Sequence, residues 1–406
     1  MKILFINQAF YPDVVATAQQ LTDFCVDLAR RHEVSVIAGN KGYDDASKVY
    51  PKREVYSGIK IRRISYASFG KGAWISRALN FASFHLNLAW KLLWMPRQDV
   101  VVALTSPPLV SVTAALFCTL KGSHFVYWVM DMNPDEALAA GWLRKGSILE
   151  KILSSFSRWS FKRSDKVIAL DRFMKNKIVE RYSADGKKIG VIPPWAHDDH
   201  IRPVEHAANS FRKQNALDGK YVVMYSGNHS PCHPLDTMLE AALHLEEDKE
   251  IVFCFVGGGS LVGKVKTFKA AHRLSNILQF PYQPIEKLSE SLSAADLHVV
   301  VMGDPYVGIV HPCKIYGILS VGRPFVFIGP QESHIGDLIR ELGVGSRVGH
   351  GDAAGLVAAI LAARSLTVAQ KQEIREKSLA FKNAKFSRIR LSAQMADFVT
   401  EIKVAS

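Results

Sequence analysis

The chain has 406 residues, 48% hydrophobic and 22% charged, the composition of a globular protein with a large core and room for two or three domains. Its five cysteines (Cys25, Cys118, Cys232, Cys254, Cys313) are scattered with no CxxC pair, which excludes a disulfide framework and a cysteine zinc site and fits a reducing cytoplasm. The net charge of +13 is uneven: residues 1–200 hold 28 lysines and arginines against 18 acids, residues 201–406 hold 23 against 20, so the first half expects an anionic partner surface.

The start, Met1-Lys2-Ile3-Leu4-Phe5-Ile6-Asn7, reads as a strand and not as a signal peptide. Strand Lys2–Asn7, a loop with Tyr11-Pro12-Asp13, a helix over 16–31 and strand Val34–Ala38 form one β–loop–α–β unit of continuous apolar strands, as in a buried parallel sheet. Residues 75–96 combine helical apolar spacing with Trp90, Trp94 and basic flanks. Their Asn, His, Ser and Lys make a poor spanning helix, and they read as an interfacial segment or as a buried helix. The alternation continues through strand 100–104, loop Thr105-Ser106-Pro107-Pro108, strand 124–129, a helix over 147–162, strand 166–170, a helix over 172–182 and strand 189–192.

Pro193-Pro194-Trp195 and the polar stretch after it read as a hinge over 196–212. A second alternation follows: strand 221–226, loop Gly227–Pro234, a helix over 235–245, strand 251–256, Gly257-Gly258-Gly259, a helix over 261–272, and strands near 277–280, 297–302 and 325–328. The pattern divides the chain into residues 1–195, the hinge 196–212, residues 213–385, and a last amphipathic helix over 386–406 that returns to the first domain. Two consecutive alternations of this kind mean two doubly wound parallel α/β sheets, which bind ligands at the carboxyl ends of their strands.

Residues 305–324 carry the sharpest chemical signal. A strand runs into a Gly/Pro-punctuated loop that opens a helix near Lys314 and stops at Gly322-Arg323-Pro324. A helix start offers unpaired N–H groups to an anion, and a lysine there is electrostatically misplaced unless an anion is present. The backbone of Gly308, Ile309 and Val310, with Asn228 and His229 just after a strand end, supplies further donors. The triple glycine Gly257-Gly258-Gly259 lets backbone approach a ligand closely. His229, His233 and His311 lack zinc spacing, so no metal is expected, and His311 either donates to a phosphate or sugar or caps its loop. There is no dinucleotide GxGxxG with its acidic residue, no phosphate-loop lysine signature, and no basic stripe with interleaved aromatics that would bind nucleic acid.

Several segments together resemble the GT-B fold glycosyltransferases of family 4, in particular the bacterial branch that builds O-antigen, capsule and colanic-acid-type polysaccharides. The carriers include Phe10-Tyr11-Pro12-Asp13, Leu104-Thr105-Ser106-Pro107-Pro108, Tyr127-Trp128-Val129-Met130-Asp131-Met132-Asn133-Pro134, Tyr225-Ser226-Gly227-Asn228, Phe255-Val256-Gly257-Gly258-Gly259 and His311-Pro312-Cys313-Lys314-Ile315-Tyr316-Gly317. The resemblance implies two Rossmann-like domains facing a cleft. The second would take a nucleotide diphosphate sugar, UDP-linked by preference, and the first a lipid-linked acceptor at the cytoplasmic face of an anionic membrane. It also implies a retaining reaction with neither cofactor nor metal. The expected catalytic residues are Asp131, Lys314 and Asn228. The donor set is Ser226, Gly227, Asn228, His229, Gly257, Gly258, Gly259, Tyr282, Gly308, Ile309, Val310, His311, Pro312, Cys313, Lys314 and Tyr316. The acceptor set is Ala16, Thr17, Gln19, Asp131 and Trp195. The chain departs from the family in two respects. The slots of the family's two glutamates hold Ile309 and Gly317, and no lysine follows Gly227-Asn228. The lost carboxylates leave a non-catalytic scaffold of a polysaccharide assembly as the alternative expectation.

Overall fold

The computed structural model describes residues 1–43, 45, 47–67, 74–196 and 201–401, with side chains from 79 onward in the helix that begins at Trp74. Hinge residues 197–200, the side chains of 75–78 in the apolar segment and residues 402–406 therefore lie outside the described residues. The chain divides into two compact units: Met1–Pro194 with Gly308–His311 and Ile389–Ser406, and Trp195–Val307 with Pro312–Arg388.

The first unit is built on β1 (Lys2–Ile6), β2 (Glu33–Gly39), β3 (Arg53–Tyr56), β4 (Ile59–Ile64), β5 (Val100–Ala103), β6 (His124–Trp128), β7 (Lys166–Ala169) and β8 (Ile189–Val191). They form one sheet in the order β3-β4-β2-β1-β5-β6-β7-β8. Every pairing is parallel except the β3–β4 hairpin. That hairpin is absent from the sequence reading, because β4 alternates apolar and charged residues (Ile-Lys-Ile-Arg-Arg-Ile) where continuous apolar runs were the signal. Its turn is legible in retrospect: Ser57 and Gly58 both take positive φ, +47° and +82°, the two-residue turn that matches strand twist.

The helices between these strands are α1 (Ala16–Leu28), α2 (Trp74–Leu93), α3 (Val110–Lys121), α4 (Asp135–Ala139), α5 (Ile148–Arg163) and α6 (Arg172–Tyr182). Ser147 caps α5 by accepting from the Glu150 N–H, and Asp171 caps α6 through the Met174 N–H.

In the second unit β9 (Tyr221–Ser226), β10 (Ile251–Val256), β11 (Ile277–Phe280), β12 (Leu297–Val301), β13 (Phe325–Ile328) and β14 (Ser346–Val348) form an all-parallel sheet, β11-β10-β9-β12-β13-β14. This is the doubly wound order whose direction reverses between its first and fourth strands, here β9 and β12. Both faces are buried. Val223, Tyr225, Phe253 and Phe255 pack with Met238, Leu239 and Leu356 on one side, and Val222, Met224 and Cys254 with Phe211 and Ala294 on the other.

The unit's helices are α7 (Ser210–Gln214), α8 (Asp236–His244), α9 (Val262–His272), α10 (Leu288–Ser293), α11 (Lys314–Val321), α12 (His334–Leu342), α13 (Ala353–Arg364) and α14 (Val368–Phe386). The last helix, α15 (Arg388–Thr400), belongs to the first unit from Ile389 on. Its Ser392 hydroxyl donates to Asp27 at 2.9 Å, and its Phe398 carbonyl accepts from the Lys166 ammonium at 2.7 Å.

Candidate active site

In the second unit the loops after β9 and β10 interlock. Gly227, Gly257 and Gly259 hold φ of +134°, +136° and +126°, a region closed to side chains, and the absent Cβ atoms leave room for direct backbone contact. The His229 N–H donates to the Gly258 carbonyl at 2.7 Å, and the Leu261 N–H donates to the His229 carbonyl at 2.9 Å. The exposed Tyr282 ring lies over Gly258 and its hydroxyl donates to the Gly258 carbonyl at 3.3 Å.

Lys314 enters this loop pair from the start of α11, which no side chain caps. Its ammonium sits 4.9 Å from the centroid of the Tyr225 ring, and its Cε lies 2.5 Å from where a Cβ on Gly227 would stand. No carboxylate or hydrogen-bond acceptor partners that ammonium among the described residues. Burial brings the amine down to about 7, only partly offset by the Cys313 and Cys232 thiols. A half-buried amine with no counter-charge beside it is a place prepared for an anion.

His229 stands beside it, 1% exposed. Its Nδ1 lies 3.3 Å from the Gly258 carbonyl oxygen, and its Nε2 is buried without a partner. Burial lowers its basicity and the nearby Lys314 charge adds to that, so the ring is held neutral. His233 is turned away, its Nδ1 2.7 Å from the Val301 carbonyl oxygen.

Ser226, Gly227, Asn228, His229, Gly257, Gly258, Gly259, Tyr282 and Lys314 are thus brought together in one unit, with Pro312 and Cys313 leading into α11. Three placements differ from what the sequence suggested. Tyr316 is buried, its hydroxyl 3.2 Å from His334 Nε2 and its ring 4.7 Å from that of Phe386, so it packs the base of α11 and does not face a donor. Gly308, Ile309, Val310 and His311 are counted with the first unit. Trp195 is 1% exposed in the second unit, which leaves no indole face for an acceptor sugar. Tyr225 is the residue that sequence reasoning passed over. Its position at the end of an apolar strand read as core, and only the fold puts Lys314 on its ring.

In the first unit the sheet order reverses between β1 and β5. There the loops meet: the Gln8 N–H donates to the Ser106 carbonyl at 2.6 Å, and the Ser106 N–H to Asn7 Oδ1 at 3.3 Å. The start of α1 opens from the first of these loops, and no side chain caps it. Ala16 is exposed, Thr17 is inside the helix and not its cap, and the Gln19 amide donates to the Val14 carbonyl at 2.9 Å.

The loop after β6 carries Asp131, partly exposed. Burial by the atoms around it, with Glu136 adding like charge, pushes its carboxyl up to about 7. The next residue, Met132, donates its N–H to the Ile309 carbonyl at 3.0 Å. Gly308, at φ +70°, lies against the Phe173 backbone where a Cβ would not fit, and His311 Nδ1 is 2.7 Å from Asp171 Oδ2. The 308–311 segment thereby braces the Asp131 loop. His311 Nδ1 is engaged by a carboxylate of its own unit.

Residues 17–200 match the model of Glycosyltransferase Family 4. The chain is 26% identical over 249 residues to the probable glycosyltransferase WbjE of Pseudomonas aeruginosa, covering 61% of this chain and 62% of that protein, less than two thirds of its length. It is also 26% identical over 361 residues, 83% of this chain and 86% of the relative, to WcaI of Escherichia coli K12, a candidate colanic acid biosynthesis glycosyl transferase. Among solved structures, HepE of Anabaena in complex with UDP and glucose superposes with a TM-score of 0.73 at 14% identity, covering 99% of this chain and all of that one (100%). WaaG, a glycosyltransferase involved in lipopolysaccharide biosynthesis, superposes with a TM-score of 0.74 at 16% identity, covering 98% and 100%.

Proposed function

We propose, from the premise that this chain is a GT-B glycosyltransferase of family 4, that it moves a hexose or N-acetylhexosamine from a UDP-sugar to a lipid-linked acceptor in cell-surface polysaccharide synthesis, with retention of configuration. The observation that carries the donor half is the unpartnered Lys314 ammonium set against the interlocked glycine loops. As the bond from the anomeric carbon to the diphosphate oxygen breaks, its electron pair stays on that oxygen. A fixed cation and aligned N–H groups stabilise the charge as it forms. Lys314 stands beside Gly227-Asn228, the loop after which the sequence lacks a lysine, and so supplies that charge from another element. Asn228 and the unpaired His229 Nε2 offer further contacts to diphosphate or sugar.

The acceptor half is assigned to the first unit. Ala16, Thr17 and Gln19 at the uncapped start of α1 receive the acceptor's anionic end, and Asp131 holds its attacking hydroxyl. The relatives named for colanic acid and lipopolysaccharide synthesis support a polysaccharide product, and the UDP held by HepE supports uridine as the base. The enzyme would work at the cytoplasmic membrane face.

A thermal-shift screen of UDP, GDP, ADP and their sugars tests this reading, because a ligand that binds only the folded state raises the melting temperature. The expected result is a rise of several degrees with UDP and UDP-sugars that disappears in Lys314→Met. Silence toward every nucleoside diphosphate would remove the proposal.

A further inference from the structure

Helices α2, α3 and α5 lie side by side on one face of the first sheet. His85 Nδ1 of α2 is 3.0 Å from Thr113 Oγ1 of α3, and the Lys121 ammonium donates to the Leu93 carbonyl at 3.1 Å. Between α3 and α5, the Ser111 hydroxyl meets that of Ser160 at 3.2 Å and the Arg163 guanidinium donates to Thr119 Oγ1 at 2.7 Å. The inner faces are satisfied: Phe84, Leu88 and Leu92 of α2 are buried, as are Ala114, Phe117 and Cys118 of α3.

The outer faces are apolar as well. Leu86 and Trp90 on α2 and Trp94 just past its end follow one another at four-residue spacing, with the two indoles 65% and 72% exposed and 5.9 Å apart. Leu116 and Leu120 repeat the spacing on α3, the latter 69% exposed. On α5 the polarity is inverted: Ser154, Ser157 and Ser160 point inward, while Ile152 and Phe156 face out. A water-facing helix surface is ordinarily polar, and adjacent apolar stripes on three neighbouring helices mark a surface that leaves water.

The charge on these helices identifies the occupant. Neither α2 nor α3 contains an acidic residue, and the single carboxylate of α5, Glu150, is paired to Arg181 at 2.9 Å. Lys151, Arg158, Lys162 and Arg163 are exposed on α5, as is Arg97 just past α2, so these same elements carry the basic charge. A second copy placing the same face here would bring like charges together. An anionic lipid leaflet takes the rings and leucines into its acyl boundary and pairs the basic side chains with its headgroups. No single helix among the described residues is long and apolar enough to cross a membrane.

We propose that the outer face of α2, α3 and α5 is a docking platform for an anionic bilayer surface. This deepens the reading of a lipid-linked acceptor by naming the part of the fold that meets the lipid. It goes beyond the sequence signal in residues 75–96, because α3 and α5 join only through the fold.

The test is cosedimentation of the full chain with vesicles of phosphatidylcholine alone or with about 30% phosphatidylglycerol, an anionic fraction that creates a surface potential. Wild type is expected to bind the anionic vesicles, bind neutral ones weakly, and shift its tryptophan emission to the blue. Trp90→Gln/Trp94→Gln/Leu120→Gln should lower the partition coefficient by about tenfold or more, since apolar burial sets interfacial affinity. Lys151→Gln/Arg158→Gln/Lys162→Gln should erase the preference for anionic lipid. Circular dichroism and the UDP thermal shift control for folding in both variants. Unchanged partitioning in the apolar variant, or a self-association in sedimentation that the same variant abolishes, overturns the platform. Loss of nucleotide binding with vesicle binding intact would instead strike the proposed reaction.

Discussion

Lys314 and Gly227, 87 positions apart, share one small volume: a Cβ on Gly227 would stand 2.5 Å from Lys314 Cε. Gly227 also holds φ +134°. Gly227→Ala is therefore expected to strain the turn and push the lysine out of place. UDP-sugar KM should rise by about tenfold or more, with a stability loss of about 1–3 kcal/mol from the unfavourable φ. A KM at the wild-type value in a folded variant would show that Lys314 does not depend on this glycine.

Lys314→Met keeps the length of the side chain and removes the charge. Its kcat/KM should fall by about 100-fold or more, the scale of losing one preorganised donor to a leaving group. Because the folded amine titrates near 7 and the unfolded one near 10.5, the unfolded chain binds more protons in between, and wild-type stability rises with pH over that window. The variant is therefore expected to melt at or above the wild-type temperature at pH 7, with the difference closing as pH climbs toward 10. Denaturation curves at four pH values check it.

On the proposed reading the same amine couples nucleotide binding to protons. Above pH 7 the free enzyme holds Lys314 largely neutral, and a diphosphate restores its charge. Calorimetry of UDP binding at pH 8 in buffers of different ionisation enthalpy should show uptake of up to about one proton. Affinity should weaken as pH rises beyond 7. Lys314→Met should abolish the proton uptake.

Asp131 acts in the opposite sense. Its carboxyl is pushed up to about 7, so the ionised form, which on the proposed reading holds an acceptor hydroxyl, gains population as pH rises. The acid limb of kcat/KM should fall near pH 7, and Asp131→Asn should flatten that limb while lowering kcat by about 100-fold. An intact acid limb in Asp131→Asn would assign it to another group.

Placing a glutamate at Gly317, the slot that the family resemblance gives to one, should not help this chain. A Cβ at position 317 would already stand 3.1 Å from Leu292 Cδ1, with Ile201 behind it at 3.8 Å. Gly317→Glu is expected to destabilise by about 1–3 kcal/mol, through crowding and a poorly solvated charge, without raising activity. A gain in UDP-sugar turnover would show that a carboxylate at this slot serves the donor.

Continuous apolar strands alternating with amphipathic helices determined the two parallel sheets from the sequence alone, because a strand buried on both faces has no other composition open to it. Lys314 at a helix start was equally legible, since its charge conflicts with the helix dipole there. The alternating, charge-bearing β4 escaped, as its one buried face follows a different period. Tertiary structure alone decided that Lys314 lies on Tyr225 and against Gly227. It also decided that residues 308–311 brace Asp131's loop and that Trp195 is interior. It placed α3, with its outer leucines, between α5, with its outer Ile152 and Phe156, and the helix that carries Trp90. These are contacts between residues far apart in the chain. Local spacing fixes which face a side chain takes on its own element, whereas its neighbour across the gap is set by how the elements pack.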